Sequence, residues 1–129
     1  MAGTIVADTI QDGAGNSTAM DNAIYGSAKA WVTYSLTTQT ILASYNVGSV
    51  TYNSTGNFTI NFTNALADAN YCVTACATSY NPSDINRELM ICGSNGSPFQ
   101  KTASALRMIQ GYGSNPGNDV QPACVAVFR

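Results

Sequence analysis

The sequence contains no histidine and very little charge of either sign. Histidine is the commonest general base and the commonest metal ligand in proteins, so its absence argues against most familiar hydrolase and metalloenzyme designs. The basic residues are few and spread along the chain: Lys29, Arg87, Lys101, Arg107 and Arg129. Because a run of phosphates requires clustered positive charge, nucleic acid is not an expected partner.

Long apolar runs are also missing. The longest apolar stretches are only a few residues, far below the roughly 20 that a membrane-spanning helix needs, so a membrane is not an expected partner. The amino-terminal residues show no positively charged region followed by an apolar one, so the sequence predicts a protein made without a secretion signal.

Uncharged polar residues dominate in place of charge. The chain has 12 Ser, 14 Thr and 13 Asn but only two Lys and one Glu. Threonine suits a pleated, half-exposed surface and asparagine suits turns, whereas a helical protein of this size normally shows charged faces at helical spacing. The composition therefore predicts β-structure.

Residues 1–26 are predicted to form an extended amino-terminal arm. The run from Asp12 to Thr18 is rich in turn residues and separates two short apolar pieces. In the first piece, Thr4, Ile5 and Val6 could add to the edge of a sheet, and Ile10 extends this apolar contact surface. The stretch 19–23 is too short and lacks a capping residue, so no helix is expected there.

Residues 27–129 are predicted to form a single domain of short strands separated by turns. In 57–62, Phe58, Ile60 and Phe62 alternate with polar residues, which is typical of a sheet buried on one face. Strands are predicted at 28–36, 41–47, 49–52, 57–62, 71–79, 88–92, 103–110 and 123–128. Their spacing favours an all-β fold, an antiparallel β-sandwich or a jelly-roll-like barrel.

The four cysteines allow several interpretations. Cys72 and Cys76 lie on one predicted strand about 13 Å apart, beyond the roughly 7 Å that a disulfide can span. If the strands at 71–79 and 88–92 pair, Cys76 comes close to Cys92, which makes these two the favoured disulfide. Reduced, buried thiols are favoured over any disulfide, and zinc is disfavoured because histidine is absent.

No combination of residues indicates catalysis. The carboxylates Asp84, Glu88 and Asp119 lie in predicted loops or at strand ends without a neighbouring nucleophile or base. We therefore expect no catalytic residues, no cofactor and no metal.

Three aromatic residues are candidates for recognition. Tyr80, Phe99 and Tyr112 fall in predicted loops, which a sandwich gathers at its ends and which commonly carry binding function. The alternative is that these rings cover the rim of the core.

Three segments resemble a family of small structural proteins of tailed bacteriophages. They are GSAKAWVTY at 26–34, ASYNVGSV at 43–50 and GNFTINF at 56–62, beside the family's GSAKAWV, SYNVSS and TGDYTVNFT. The upstream ADTIQDGAGNSTAMDNAI at 7–24 is similar to the family's amino-terminal segment, so the resemblance covers roughly residues 1–75.

The resemblance implies a non-enzymatic protein on the surface of the virion, assembled in the bacterial host cytoplasm. The sequence has neither heptads nor a collagen repeat, so no fibre shaft is predicted, which favours a capsid decoration (cement) protein. Such proteins are often trimers, so the expected partners are further copies of this chain, the major capsid protein and other virion proteins. The alternatives are a receptor-binding tail-fibre tip and a carbohydrate-binding module, with a host-surface glycan as partner.

Overall fold

The computed structural model describes residues 3, 6–77, 88–91, 101–112, 115–116, 119 and 122–129. The elements in chain order are β1 (Thr9–Gln11), β2 (Ser17–Ala19), α1 (Met20–Gly26), β3 (Ala28–Ser35), β4 (Thr40–Tyr45), β5 (Val47–Ser54), β6 (Asn57–Phe62), β7 (Cys72–Ala77), β8 (Glu88–Ile91), β9 (Ala105–Tyr112), β10 (Asn115–Pro116) and β11 (Ala123–Phe128).

Two larger antiparallel sheets and one small hairpin organise these strands. The first sheet has the order β4-β3-β11-β7. The second has the order β10-β9-β6-β5, and β8 also pairs with β9. The hairpin consists of β1 and β2. The predicted all-β, antiparallel fold is confirmed, and the two larger sheets form a sandwich-like arrangement around one core.

Side-chain alternation on both sheets builds this core. In β6, Phe58, Ile60 and Phe62 are buried, as predicted, and in β11 Val125 and Val127 are buried in the same way. Aromatic contacts join the two sheets, since the ring of Tyr34 in β3 lies 5.7 Å from the ring of Phe58 in β6. Burial of each large side chain contributes roughly 1.5–3 kcal/mol, so this alternating pattern dominates the stability of the domain.

Asn46 fixes the corner at which the chain passes from the first sheet to the second. Its φ of 54° lies in the left-handed region, which asparagine tolerates better than most residues. Its side-chain Nδ2 donates to the carbonyl oxygens of Lys29 and Asn64 at 3.0 and 3.1 Å, and its Oδ1 accepts from the backbone N–H of Asn64 at 2.8 Å. The asparagine of the ASYNVGSV segment is therefore a structural residue.

The amino-terminal segment differs from the predicted extended arm. Residues 9–19 form the β1–β2 hairpin, and Met20–Gly26 is a helix although no helix was expected there. No capping residue precedes this segment, and no side chain caps the helix at Ala19. The helix instead packs on β1 and β2, so tertiary contacts outweigh its weak local preference.

Gln110 places an amide inside the apolar core. It lies on the same face of β9 as Leu106 and Met108, and its side chain is fully buried. Within the described part of the chain, neither its Nε2 nor its Oε1 has a hydrogen-bond partner. A buried polar group without a partner costs about 1–3 kcal/mol of stability.

We expect Gln110→Met to stabilise the protein by about 1–2 kcal/mol, because methionine fills a similar volume without the unpaired amide. The free energy of unfolding from urea titration measures the effect. Gln11→Met, at an exposed position of β1, is the matched control and should change stability by less than about 0.5 kcal/mol. Destabilisation by Gln110→Met would contradict this account of the core.

Candidate functional site

The exposed apolar side chains of the described residues are unevenly distributed along the chain. The large ones all come from residues 6–45: Val6, Ile10, Ile24, Tyr25, Trp31, Ile41, Leu42 and Tyr45. They lie on three elements, namely the amino-terminal segment, the edge strand β4 and the outer face of β3. Exposed apolar side chains are candidates for interaction surfaces in soluble proteins, so we take each of these three elements as part of the candidate site.

A capped turn shapes the β1–β2 hairpin. The Asp12 carboxylate accepts hydrogen bonds from the backbone N–H groups of Ala14 and Asn16, both at 2.9 Å, and from Asn16 Nδ2 at 2.8 Å. Gly15 adopts a φ of 89°, which glycine allows without strain. These hydrogen bonds lower the pKa of Asp12, and the one from the Asn16 side chain has the largest effect.

Helix α1 presents apolar side chains to solvent directly after this hairpin. Ile24 and Tyr25 lie in its last turn, and Tyr25 is 65% exposed. The ammonium group of Lys29 donates to the carbonyl oxygen of Ile24, which satisfies one free acceptor at the end of the helix. The predicted contact residues Val6 and Ile10 are also exposed, whereas Thr4 and Ile5 lie outside the described residues.

Strand β4 is an edge strand that is exposed along its whole length. It pairs with β3 on one side and ends the four-stranded sheet on the other. Its sequence, TILASY, contains neither a charge nor a proline, and every residue in it is exposed. Natural edge strands usually carry lysine, proline, a bulge or a covering element that opposes pairing with another chain, and of these the described part of β4 has only a register shift, where its pairing with β3 passes from Thr33 to Tyr34. Strand β4 has the features of a strand that accepts such a partner.

The outer face of the first sheet continues the apolar surface from β4. Trp31 on β3 stands opposite Tyr45 on β4, and Ala126 on β11 stands on its other side. The small side chain of Ala126 leaves a groove of about 250 Å³, whose lining side chains include Trp31, Thr33, Thr74, Cys76, Cys124 and Ala126. None of the described residues that line this groove is charged, so it suits an uncharged surface.

On β5 and β6, the outer face of the second sheet is polar, and its side chains form hydrogen bonds with one another. Asn61 Nδ2 on β6 donates to Ser49 Oγ at 3.1 Å and to Thr51 Oγ1 at 3.0 Å, both on β5. Nearby, Asn53 Nδ2 donates to Thr59 Oγ1 at 2.9 Å. The two outer faces of the molecule therefore differ in chemistry.

The aromatic residues predicted for loop recognition do not form a described site. Tyr80 and Phe99 lie outside the described residues. Tyr112 is the last residue of β9, so the prediction that it lies in a loop is wrong. Strand β9 continues through this point because β8 and β10 pair beside it.

The carboxylate of Asp119 makes hydrogen bonds that stabilise the fold. It accepts from the hydroxyl of Tyr52 at 3.0 Å and from the backbone N–H of Gly56 at 2.9 Å. These bonds hold residue 119 against the β5–β6 hairpin. Asp84 lies outside the described residues, and no group of three His, Cys, Asp or Glu in the described residues could hold a metal ion.

The cysteines differ from their sequence-based interpretation in two ways. Cys72 and Cys76 are exposed, so the expectation of buried thiols is wrong for both, because the alternate residues of β7 face the core. Strand β7 pairs with β11 and β8 pairs with β9, so the pairing that favoured a bridge from Cys76 to Cys92 is also wrong. Cys92 lies outside the described residues, and that disulfide stays a prediction.

Comparisons with protein-family models, with curated proteins and with solved structures found no match for this chain. Among the helices of the described residues, none has the length and apolar character needed to cross a membrane.

Acidification should open the β1–β2 hairpin before it unfolds the domain. The lowered pKa of Asp12 means that its contribution is complete above its unfolded value, about 3.9, and is lost as pH falls through the lower folded value. NMR spectra should show the Ala14 and Asn16 amide signals moving to unstructured positions as the pH is lowered below that unfolded value.

The variant Asp12→Ala should give the same shifts at neutral pH, whereas Asp8→Asn, just outside the hairpin, should leave them unchanged. A hairpin that stays intact in Asp12→Ala would contradict the role assigned to this carboxylate.

Proposed function

We propose that this protein is a non-enzymatic structural protein of a tailed-phage particle, a capsid decoration protein that assembles as a homotrimer and stabilises the head shell. The observation that carries the proposal is the confinement of exposed large apolar side chains, among the described residues, to positions 6–45. This segment overlaps the part of the sequence that resembles phage structural proteins. A surface of this kind supports permanent association more than transient binding, which uses more polar surfaces.

The amino-terminal segment supports a role in contacts between subunits. Its hairpin and short helix expose Ile10, Ile24 and Tyr25, yet a two-stranded hairpin and a seven-residue helix are marginal on their own. Packing on a neighbouring subunit would cover these side chains and stabilise both elements. The major capsid protein and a further copy of this chain are the partners that the proposal assigns to it.

Strand β4 supports self-association by strand addition. Its free edge offers backbone N–H and C=O groups to another chain, and Ile41, Leu42 and Tyr45 add apolar contacts on both of its faces. Strand addition at this edge would involve no charged side chain of β4, which agrees with a chain in which only 9% of the residues are charged.

The tail-fibre and carbohydrate-binding alternatives receive no specific support. The carbohydrate-binding alternative depended on three aromatic loop residues, of which only Tyr112 is described, at the end of strand β9. The tail-fibre alternative is disfavoured because the sequence contains no shaft repeat. The decoration protein is therefore the function that we favour.

Leu42→Lys should weaken self-association at least about tenfold, because a lysine on an edge strand opposes pairing with a second strand. Sedimentation equilibrium of the purified protein gives the stoichiometry and the dissociation constant. Thr55→Lys, which adds the same charge at the β5–β6 turn, is the matched control and should associate like the unmodified protein. A chain that stays monomeric at millimolar concentration, or equal weakening by both variants, would contradict the proposal.

The location of the chain in phage particles tests the virion assignment directly. In particles produced from a genome that encodes this chain, cross-linking mass spectrometry should join its amino-terminal segment to the major capsid protein. The double variant Ile10→Asp/Ile24→Asp should lower the number of copies per particle several-fold, whereas Thr63→Asp, an exposed position outside this segment, should not. Cross-links confined to tail proteins would favour a fibre tip, and absence from the particle would reject the virion role.

A further inference from the structure

We propose that Cys76 and Cys124 form a disulfide that joins β7 to β11 when the protein meets a low-molecular-weight disulfide such as oxidised glutathione. The proposal rests on the direct juxtaposition of these residues on neighbouring strands. It concerns a site of covalent modification and is independent of the function proposed above.

The strand register places the two residues face to face. Cys76 and Cys124 are cross-strand partners in the antiparallel pair of β7 and β11, and the register runs without a shift from Ala77 opposite Ala123 to Cys72 opposite Phe128. Directly opposed residues in such pairs have Cα atoms about 4.5 or 5.5 Å apart, according to their hydrogen-bonding position. Both separations lie within the roughly 4.4–6.8 Å that disulfides require. The typical strand spacing at such a pair is therefore compatible with a disulfide.

The two thiols share one environment in the reduced protein. Neighbouring groups remove the Cys76 thiol from part of the solvent and, together with Cys124, raise its pKa. Cys124 is held from its other side, since its Sγ lies 3.9 Å from Thr33 Oγ1 on β3. Both sulfur atoms border the groove on the outer face of the sheet.

Accessibility separates this pair from the other cysteine of β7. Cys76 is exposed and Cys124 is half-buried, so a small disulfide reaches Cys76 first. Cys72 is exposed on the same face, but it is four residues from Cys76, about 13 Å along the strand. Its cross-strand partner is Phe128, which offers no thiol.

The reaction proceeds by two successive thiol–disulfide exchanges. The Cys76 thiolate attacks one sulfur of oxidised glutathione, which forms a mixed disulfide and releases one glutathione thiolate. The Cys124 thiolate then attacks the Cys76 sulfur and releases the second glutathione. The protein loses two protons to solvent and two electrons to glutathione, and one protein disulfide replaces one glutathione disulfide.

The bond would fasten an outer strand of the first sheet. Among the described strands of that sheet, β7 is the terminal one on the side opposite β4, and it pairs with β11. A covalent link at this position resists local opening of β7, and it fixes the wall of the groove beside Trp31.

Intact-protein mass spectrometry after incubation with oxidised glutathione tests the proposal. We expect a product lighter than the reduced protein by two hydrogens, in which proteolysis without reductant yields a peptide containing Cys76 linked to a peptide containing Cys124. The oxidised protein should melt about 5 °C or more above the reduced one, because the bond closes a long loop in the unfolded chain.

Variants provide the controls. Cys124→Ser should prevent the two-hydrogen loss and leave glutathione attached to Cys76, whereas Cys72→Ser, on the same face of β7, should oxidise like the unmodified protein. Peptide mapping of the unmodified protein decides the outcome even if Cys124→Ser fails to fold. A linked pair of Cys76 and Cys92, or a mixed disulfide that persists at Cys76 of the unmodified protein, would overturn the proposal.

Discussion

The pairing of β11 with β3 on one side and β7 on the other is the interaction on which the first sheet depends. Strands β3 and β4 form one hairpin, and β7 comes from a distant part of the chain, so these pieces join only through β11. The inward side chains of β11, Ala123, Val125 and Val127, also form the centre of the core beneath that sheet. The six residues of β11 therefore provide both the strand pairing and the hydrophobic burial of this sheet. The sheet is complete only when this segment near the carboxyl end of the chain has paired.

Low charge limits how the molecule can present itself to partners. Because it has few lysines and glutamates, it has few charged side chains that would prevent its sheet edges and apolar faces from associating with other molecules. The apolar side chains of β4, β3 and the amino-terminal segment are consequently open to contact, while the outer face of the second sheet is occupied by its own amide and hydroxyl hydrogen bonds. One outer surface thus exposes apolar side chains, whereas the polar side chains of the other are hydrogen-bonded to one another. This difference suits a subunit of a larger structure.

The sequence was most informative where one face of a strand is buried. In β6, strict alternation of apolar and polar residues located both the strand and its inward residues, because burial on one side imposes a period of two. In β11, whose residues ACVAVF do not alternate in polarity, the sequence located the strand but not its inward face. Trp31 shows the limit of this signal. It lies in a correctly predicted strand, but the ring itself does not indicate which face it is on. Its outward position is clear only because Ala30, Val32 and Tyr34 face the core. Helix α1 carried no local signal, because its packing on the hairpin is a tertiary effect. The juxtaposition of Cys76 and Cys124 was equally hidden, since strand neighbours far apart in sequence leave no periodic trace.

The self-bonded polar face on β5 and β6 has a consequence for behaviour in solution. Its asparagine, serine and threonine groups carry no net charge and neither attract nor repel ions, so added salt has little to screen there. Contacts that another molecule makes with these amides and hydroxyls would therefore change little in strength between dilute and concentrated salt.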